Sequence, residues 1–301
     1  MAGGQERALR RRIRSVQSTR KITKAMELIA ASRIVRAQAR IQANKPYREG
    51  MERILRETAA ADPTAAAKLL GTPESPERIG ILAIVGDRGL AGSYNSGVMR
   101  ATERLIVEYR RAGVEVTLWT VGKKAISYFR YRGVEVTHSF VDMADRPEFA
   151  DARAVASMVA APFVAGEVDL IQMISTRFIS AGTQVVETKQ MLPLPLPEVS
   201  EEDTTDDSHL VGYTEFEPEP EQLLAELAPR ALEAEIFAAF LEGTASFFTA
   251  QQRAMAAATD NADDLVRTLT RVMNRARQDA ITTEIMEIVG GAEALRQSKG
   301  A

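Results

Sequence analysis

The sequence predicts an α/β protein: a long antiparallel two-helix coiled coil formed by its N- and C-terminal helices, with a three-layer α/β domain inserted between them. Three observations carry this. Both ends of the chain read as long helices whose apolar residues step by three and four. The middle alternates short β-branched runs with helical patterns. Loop-like stretches separate the parts and set domains at residues 1–60, 75–200 and 215–301.

The N-terminal helix is expected from Glu6 to about Thr58. Leu9, Ile13 and Val16 start an apolar seam, Ile22, Met26 and Ile29 continue it after a slip in phase, and Ala37, Ile41, Met51 and Leu55 follow. Pro46 should push Lys45 out of helical geometry and kink the helix. Ala25, Ala30, Ala31 and Ala37 would allow a partner helix to approach closely. Arginines and lysines crowd this segment, among them Lys24, Arg33 and Arg36. Such a run is either a solvated face or a track for acidic loops of a partner.

Asp62 to Glu77, with Pro63, Gly71, Pro73 and Pro76, is expected to be a loop. Ile79 to Val85 then reads as a buried strand, followed by the glycine turn Gly86 to Ser93. Ser96 to Ala112 is a helix, Val114 to Val121 a strand, Lys123 to Arg132 a helix and Val134 to Phe140 a strand. Phe149 to Val164 is a helix, and Asp169 to Phe178 and Thr183 to Leu192 are strands. This alternation predicts a mostly parallel sheet with helices on its faces. The glycine turn lacks the Lys-Ser or Lys-Thr of a P-loop, and Gly86, Gly89 and Gly92 lack the dinucleotide spacing, so a structural turn is expected.

Glu198 to Ser208 is strongly acidic, and Tyr213 to Pro220 reads as an extended lead into the last helix. That helix is expected to restart at Pro229 and run to about Gln297, roughly 100 Å at ~1.5 Å per residue. A rod of this length needs a partner along it. Ala262, Val266, Leu269, Met273, Ala276 and Ala280 form a heptad seam. A second stripe, Ile281, Ile285, Ile288, Ala292 and Leu295, lies at an angle to the first. It would face either a surrounding protein or the core of a larger bundle.

Composition excludes several classes of function. With 38 basic and 41 acidic residues the net charge is −3, which gives no bulk reason to expect nucleic acid. There is no cysteine and there are two histidines, so disulfides, thiolate metal sites and multi-histidine sites are excluded. No apolar run approaches the ~18 residues of a membrane span, and the arginine-rich start lacks the apolar core of a secretory leader. No catalytic spacing is present. Glu284 and Glu287 share a helix face but have no companion groups. We therefore expect no catalytic residues, no cofactor and no metal in this chain.

Three stretches together resemble the γ subunit of the F-type ATP synthase. They are Ile22-Thr23-Lys24-Ala25-Met26-Glu27-Leu28-Ile29-Ala30-Ala31-Ser32-Arg33, then Asp87-Arg88-Gly89-Leu90-Ala91-Gly92-Ser93-Tyr94-Asn95. The third is Ala258-Thr259-Asp260-Asn261-Ala262 with Ile281-Thr282-Thr283-Glu284-Ile285-Met286-Glu287-Ile288-Val289-Gly290-Gly291-Ala292. The resemblance covers essentially the whole chain, in order. It departs at Gly86, where the family often has Ser, at Ala91, where Cys is common, and at Ala256, where a basic residue is frequent.

The resemblance implies a Rossmann-like middle domain and the role of a central rotor stalk. The helix pair would sit inside a ring of α and β subunits. Proton flow would turn a ring of c subunits and, with it, this chain. Contacts to β are implied for Lys24, Met26, Arg33, Arg36, Arg277, Gln278, Thr282 and Glu287. An apolar bearing tip is implied for Ile285, Ile288, Val289 and Ala292. A foot toward the c-ring and the ε subunit is implied for Tyr213, Phe216 and Glu217. The location implied is peripheral, on the cytoplasmic face of a bacterial cell membrane. A coiled-coil adaptor with a Rossmann-like head and no motor role shares the patterns but not the motifs.

Overall fold

A computed structural model describes residues 2–64, 66, 75–195 and 216–299. The described elements, in chain order, are α1 (Ala2–Ala61), β1 (Arg78–Ile84), α2 (Tyr94–Arg111), β2 (Glu115–Val121) and α3 (Lys123–Tyr131). They continue with β3 (His138–Phe140), α4 (Phe149–Val164), β4 (Leu170–Phe178), β5 (Gln184–Leu192) and α5 (Pro220–Lys299). The acidic stretch Glu198 to Ser208, Tyr213 and most of the expected loop after Asp62 lie outside the described residues.

The chain divides into two compact units, residues 1–30 with 252–301, and residues 31–251. Both boundaries fall inside a long helix. In the larger unit five strands form one sheet in the order β3-β2-β1-β4-β5. β1 pairs in parallel with β2 and β4, and β2 with β3, while β4 and β5 run antiparallel. The strand expected from Val134 shortens to three residues at the edge.

Strand periodicity builds the layers. Ile79, Ile81, Ala83 and Val85 point to one face, where they pack on Val98 and Ile106 of α2 and Ala125 and Phe129 of α3. Leu82 and Ile84 point to the other face, toward Val155 and Val159 of α4 and Leu232, Ile236 and Phe240 of α5. The third layer is therefore built partly from a long terminal helix. Two glycines permit close approaches. A Cβ on Gly80 would collide with the Trp119 ring, and one on Gly122, at φ +101°, would collide with the Val85 carbonyl.

Two proline expectations are corrected. Lys45 and Pro46 lie within an unbroken α1. The turns around them are held by Ile41 and Leu55, which face inward, and by Arg48, which is ion-paired. Pro229 does not start the last helix. α5 begins at Pro220, a first-turn position where the missing N–H costs nothing, and it carries Pro229 inside it. Leu224, Ala231 and Leu232 are buried on either side, so core packing outweighs the one lost hydrogen bond.

The smaller unit pairs the start of α1 with the end of α5. Thr23 Oγ1 lies 2.8 Å from Thr259 Oγ1, and Arg20 pairs with Asp263 at 2.6 Å. One helix steps back as the other steps forward, so the pair is antiparallel. On α5 the expected heptad seam is the inward row, with Ala262 and Leu269 buried and Val266, Met273, Ala276 and Ala280 half-buried. On α1 the expectation needs correction. Ile22 and Ile29 are 58% and 54% exposed, while Thr23 and Ala30 are buried. Leu9, Val16, Thr23 and Ala30 keep a strict seven-residue repeat, so the seam has no slip. Ala25 is exposed and does not mediate close approach there.

Candidate interaction surface

In the smaller unit the paired helices bury one seam and leave apolar rows uncovered. On α1 these are Ile22, Leu28 and Ile29. On α5 they are Ile281, Ile285, Met286, Ile288 and Val289. The side chains from Ile281 to Ala292 are exposed throughout. An exposed apolar row this long marks a surface that another molecule covers.

Of the expected contact residues, Lys24, Met26, Arg277, Gln278, Thr282 and Glu287 belong to this smaller unit. Lys24 is exposed and its Nζ donates to Glu27 at 3.0 Å, while Met26 is half-buried beside it. Arg277, Gln278, Thr282 and Glu287 are exposed on α5. In the larger unit Arg33 lies with its guanidinium 5.1 Å from the centroid of Phe248, so its charge is already stacked on an aromatic face. Arg36 is exposed and makes no ion pair among the described residues. Phe216 is half-buried and Glu217 exposed. No hydrogen bond or ion pair joins any two of these residues among those described.

The basic track of α1 is partly spent within the chain. Arg10 pairs with Glu6, Arg20 with Asp263 and Arg48 with Glu235 and Glu242. Arg40 donates to the Pro147 carbonyl. Among the described residues Arg7, Arg11, Arg12, Arg14, Lys21 and Arg36 make no ion pair.

The glycine turn after β1 is organised by its own side chains. Asp87 Oδ1 accepts from the backbone N–H groups of Lys123 at 3.0 Å and Asp142 at 3.1 Å, and Oδ2 accepts from Ala144 at 3.3 Å. Asn95 Oδ1 accepts from Gly86 N at 2.8 Å. The Asp87 carboxylate thus takes the N–H at the start of α3, the kind of donor a bound phosphate would need.

Sequence reasoning missed two clusters: the Asp87 bridge and a charge lattice around Arg48. Their partners are far apart along the chain and follow no local spacing. It also misplaced the α1 seam, although the seven-residue repeat through Thr23 was a usable signal.

Comparison with known proteins places these features in context. The model of a family described as ATP synthase matches residues 5–295. The chain is 46% identical over 298 residues to the ATP synthase gamma chain of Parafrankia sp. strain EAN1pec, covering 97% of this chain and 98% of that one. Its fold is similar to a chain of the Euglena gracilis mitochondrial ATP synthase in a structure of OSCP, F1 and c-ring. The TM-score is 0.70, with 18% identity over 99% of this chain and 97% of that one. It is also similar to a chain in the Tetrahymena thermophila mitochondrial ATP synthase central stalk and c-ring, with TM-score 0.60 and 23% identity. That match covers 79% of this chain and 99% of the other.

Proposed function

The chain belongs to the ATP synthase family, among its gamma chains, and from that premise we propose that it is the central rotor of the complex. It couples c-ring rotation, driven by proton flow, to ATP synthesis at catalytic sites carried by the β subunits. It contributes no catalytic residue of its own. In this reading residues 1–60 and 215–301 supply the axle and residues 75–200 the head, with residues 31–60 and 220–251 also packing in the compact unit of the head.

The observation that supports this best is the uncovered row on the last turns of α5. Ile281, Ile285, Ile288 and Val289 are 49%, 54%, 67% and 58% exposed. Burying each such side chain is worth up to ~1.5–3 kcal/mol, so a surrounding collar is the natural complement. Aliphatic side chains suit a bearing because they fill space without directional bonds. A two-helix axle is asymmetric, so it cannot touch the three β subunits of an α/β hexamer alike. The sites then differ in nucleotide affinity, and turning the axle permutes them, since coupling requires differential contacts.

Lys24, Met26, Arg33, Arg36, Arg277, Gln278, Thr282 and Glu287 are the proposed contacts to β. Ile285, Ile288, Val289 and Ala292 form the bearing. Tyr213, Phe216 and Glu217 face the c-ring and ε. No helix of the described chain is long and apolar enough to cross a membrane. In this reading the chain is attached peripherally, through the complex, at the cytoplasmic face of the bacterial cell membrane.

The test is Arg277→Ala in the reassembled complex. ATP turnover should fall severalfold while the head domain keeps its melting transition. Turnover at the parental level would remove the proposed catch. Co-purification tests the wider reading: one copy of this chain should come down with each α/β hexamer, whereas an adaptor would not.

A further inference from the structure

Within the larger unit, four charged side chains join both long helices to the antiparallel edge of the sheet. Arg48 of α1 donates from Nε to Glu235 Oε1 at 3.0 Å and from Nη1 to Glu242 Oε1 at 3.4 Å, both on α5. The other oxygen of Glu235 accepts from Lys189 Nζ of β5 at 2.6 Å. The other oxygen of Glu242 accepts from the backbone N–H of Phe178, at the end of β4, at 3.0 Å. Each carboxylate therefore spans from a helix to a strand. The two carboxylates are 19% and 15% exposed, and the surrounding cleft of about 160 Å³ is lined by the same groups.

We infer that this lattice is the torsional joint of the rotor, with Arg48, Glu235, Glu242 and Lys189 as positioning residues; the inference rests on the rotor reading above. Stability alone accounts poorly for it, because well-packed apolar side chains of similar volume commonly hold such a place as well or better than ion pairs. Direction is what the lattice adds. Leu55, Leu232, Ile236 and Ala239 of the neighbouring apolar core hold helix to sheet by a non-directional attraction. Charge-assisted bonds resist shear, and these four lie where torque must cross from the sheet to α1 and α5.

The test uses the assembled complex. The chain has no cysteine, so Tyr131→Cys, at an 87% exposed site on α3, gives a unique handle for a bead. Arg48→Met removes the central donor and keeps apolar volume. The variant loses both charge-assisted bonds from α1 to α5, so the angular variance of the bead in a stalled complex should rise above the parent's. Glu242 loses its cation in this variant, so the head domain's melting transition should fall, and the variance is compared with the parent's well below that transition. Arg48→Lys should recover part of the stiffness. Unchanged variance in Arg48→Met overturns the joint. If that variant does not assemble, Lys189→Met is read the same way, and unchanged variance there overturns it equally. If the parental chain itself shows no ATP-driven bead rotation, the rotor reading fails instead.

Discussion

Glu242 shows how burial decides the behaviour of a single group. Burial pushes its pKa above the usual carboxylate range, and the Phe178 N–H and Arg48 pull it back only in part. Arg48 is different. Burial lowers its pKa, but Glu235 and Glu242 outweigh burial and raise it overall. The lattice thus favours the cation more than this carboxylate. A carboxyl with a raised folded pKa stabilises the fold below its unfolded value, and this contribution is lost as pH rises through the folded value. Glu242→Gln removes that loss. The melting temperature of the Gln variant relative to the parent should therefore rise from pH ~4 toward neutrality. A pH-independent difference would show that Glu242 is not held out of its ordinary range. Gly122 gives a second prediction at this scale. Gly122→Ala should cost about 3 kcal/mol, because it combines an unfavourable positive φ with a collision at the Val85 carbonyl. The chain's one Trp, Trp119, lies in the sheet beside it and reports this unfolding by fluorescence.

At the scale of the element, the paired helices place a polar contact in an apolar seam. Thr23 and Thr259 are buried and share a hydrogen bond, and Thr259 also donates to the Met255 carbonyl. Replacing Thr23 removes the bond between the helices and leaves Thr259 with the Met255 carbonyl alone, whereas replacing both leaves a seam of similar shape. Thr23→Val is expected to lower amide-exchange protection of the helix pair by about 1 kcal/mol, and the double valine variant to return close to the parent. Equal losses in both variants would show that shape, not the bond, matters there. The same seam shows what the sequence made legible. The α5 heptad from Ala262 to Ala280 could be read because each inward position is small or apolar. The α1 seam was misread because its inward Thr23 is polar and its outward Ile22 and Ile29 are not. Hydropathy marks surfaces that are covered by something, without saying by what. Local rules at Pro46 and Pro229 failed for a related reason, since burial of the neighbouring turns exceeds the cost of one missing hydrogen bond.

At the scale of the whole molecule, the exposed rows predict how the isolated chain behaves. Apolar side chains such as Ile285 and Ile288 stand uncovered on the last turns, so the chain alone should self-associate at micromolar concentration. Ile285→Ser with Ile288→Ser should lower light scattering severalfold without changing Trp119 fluorescence. A parental chain that remains monomeric under those conditions would count against the bearing. The two long helices, the order of strands and helices between them and the second apolar stripe were set by residue pattern alone. Periodicity and propensity act over a few residues and can be read along the chain. The Asp87 bridge, the Arg48 lattice and the use of α5 as a layer of the head domain were decided only in three dimensions. Each joins groups tens to hundreds of positions apart, and no local spacing records which distant partner will meet a buried charge.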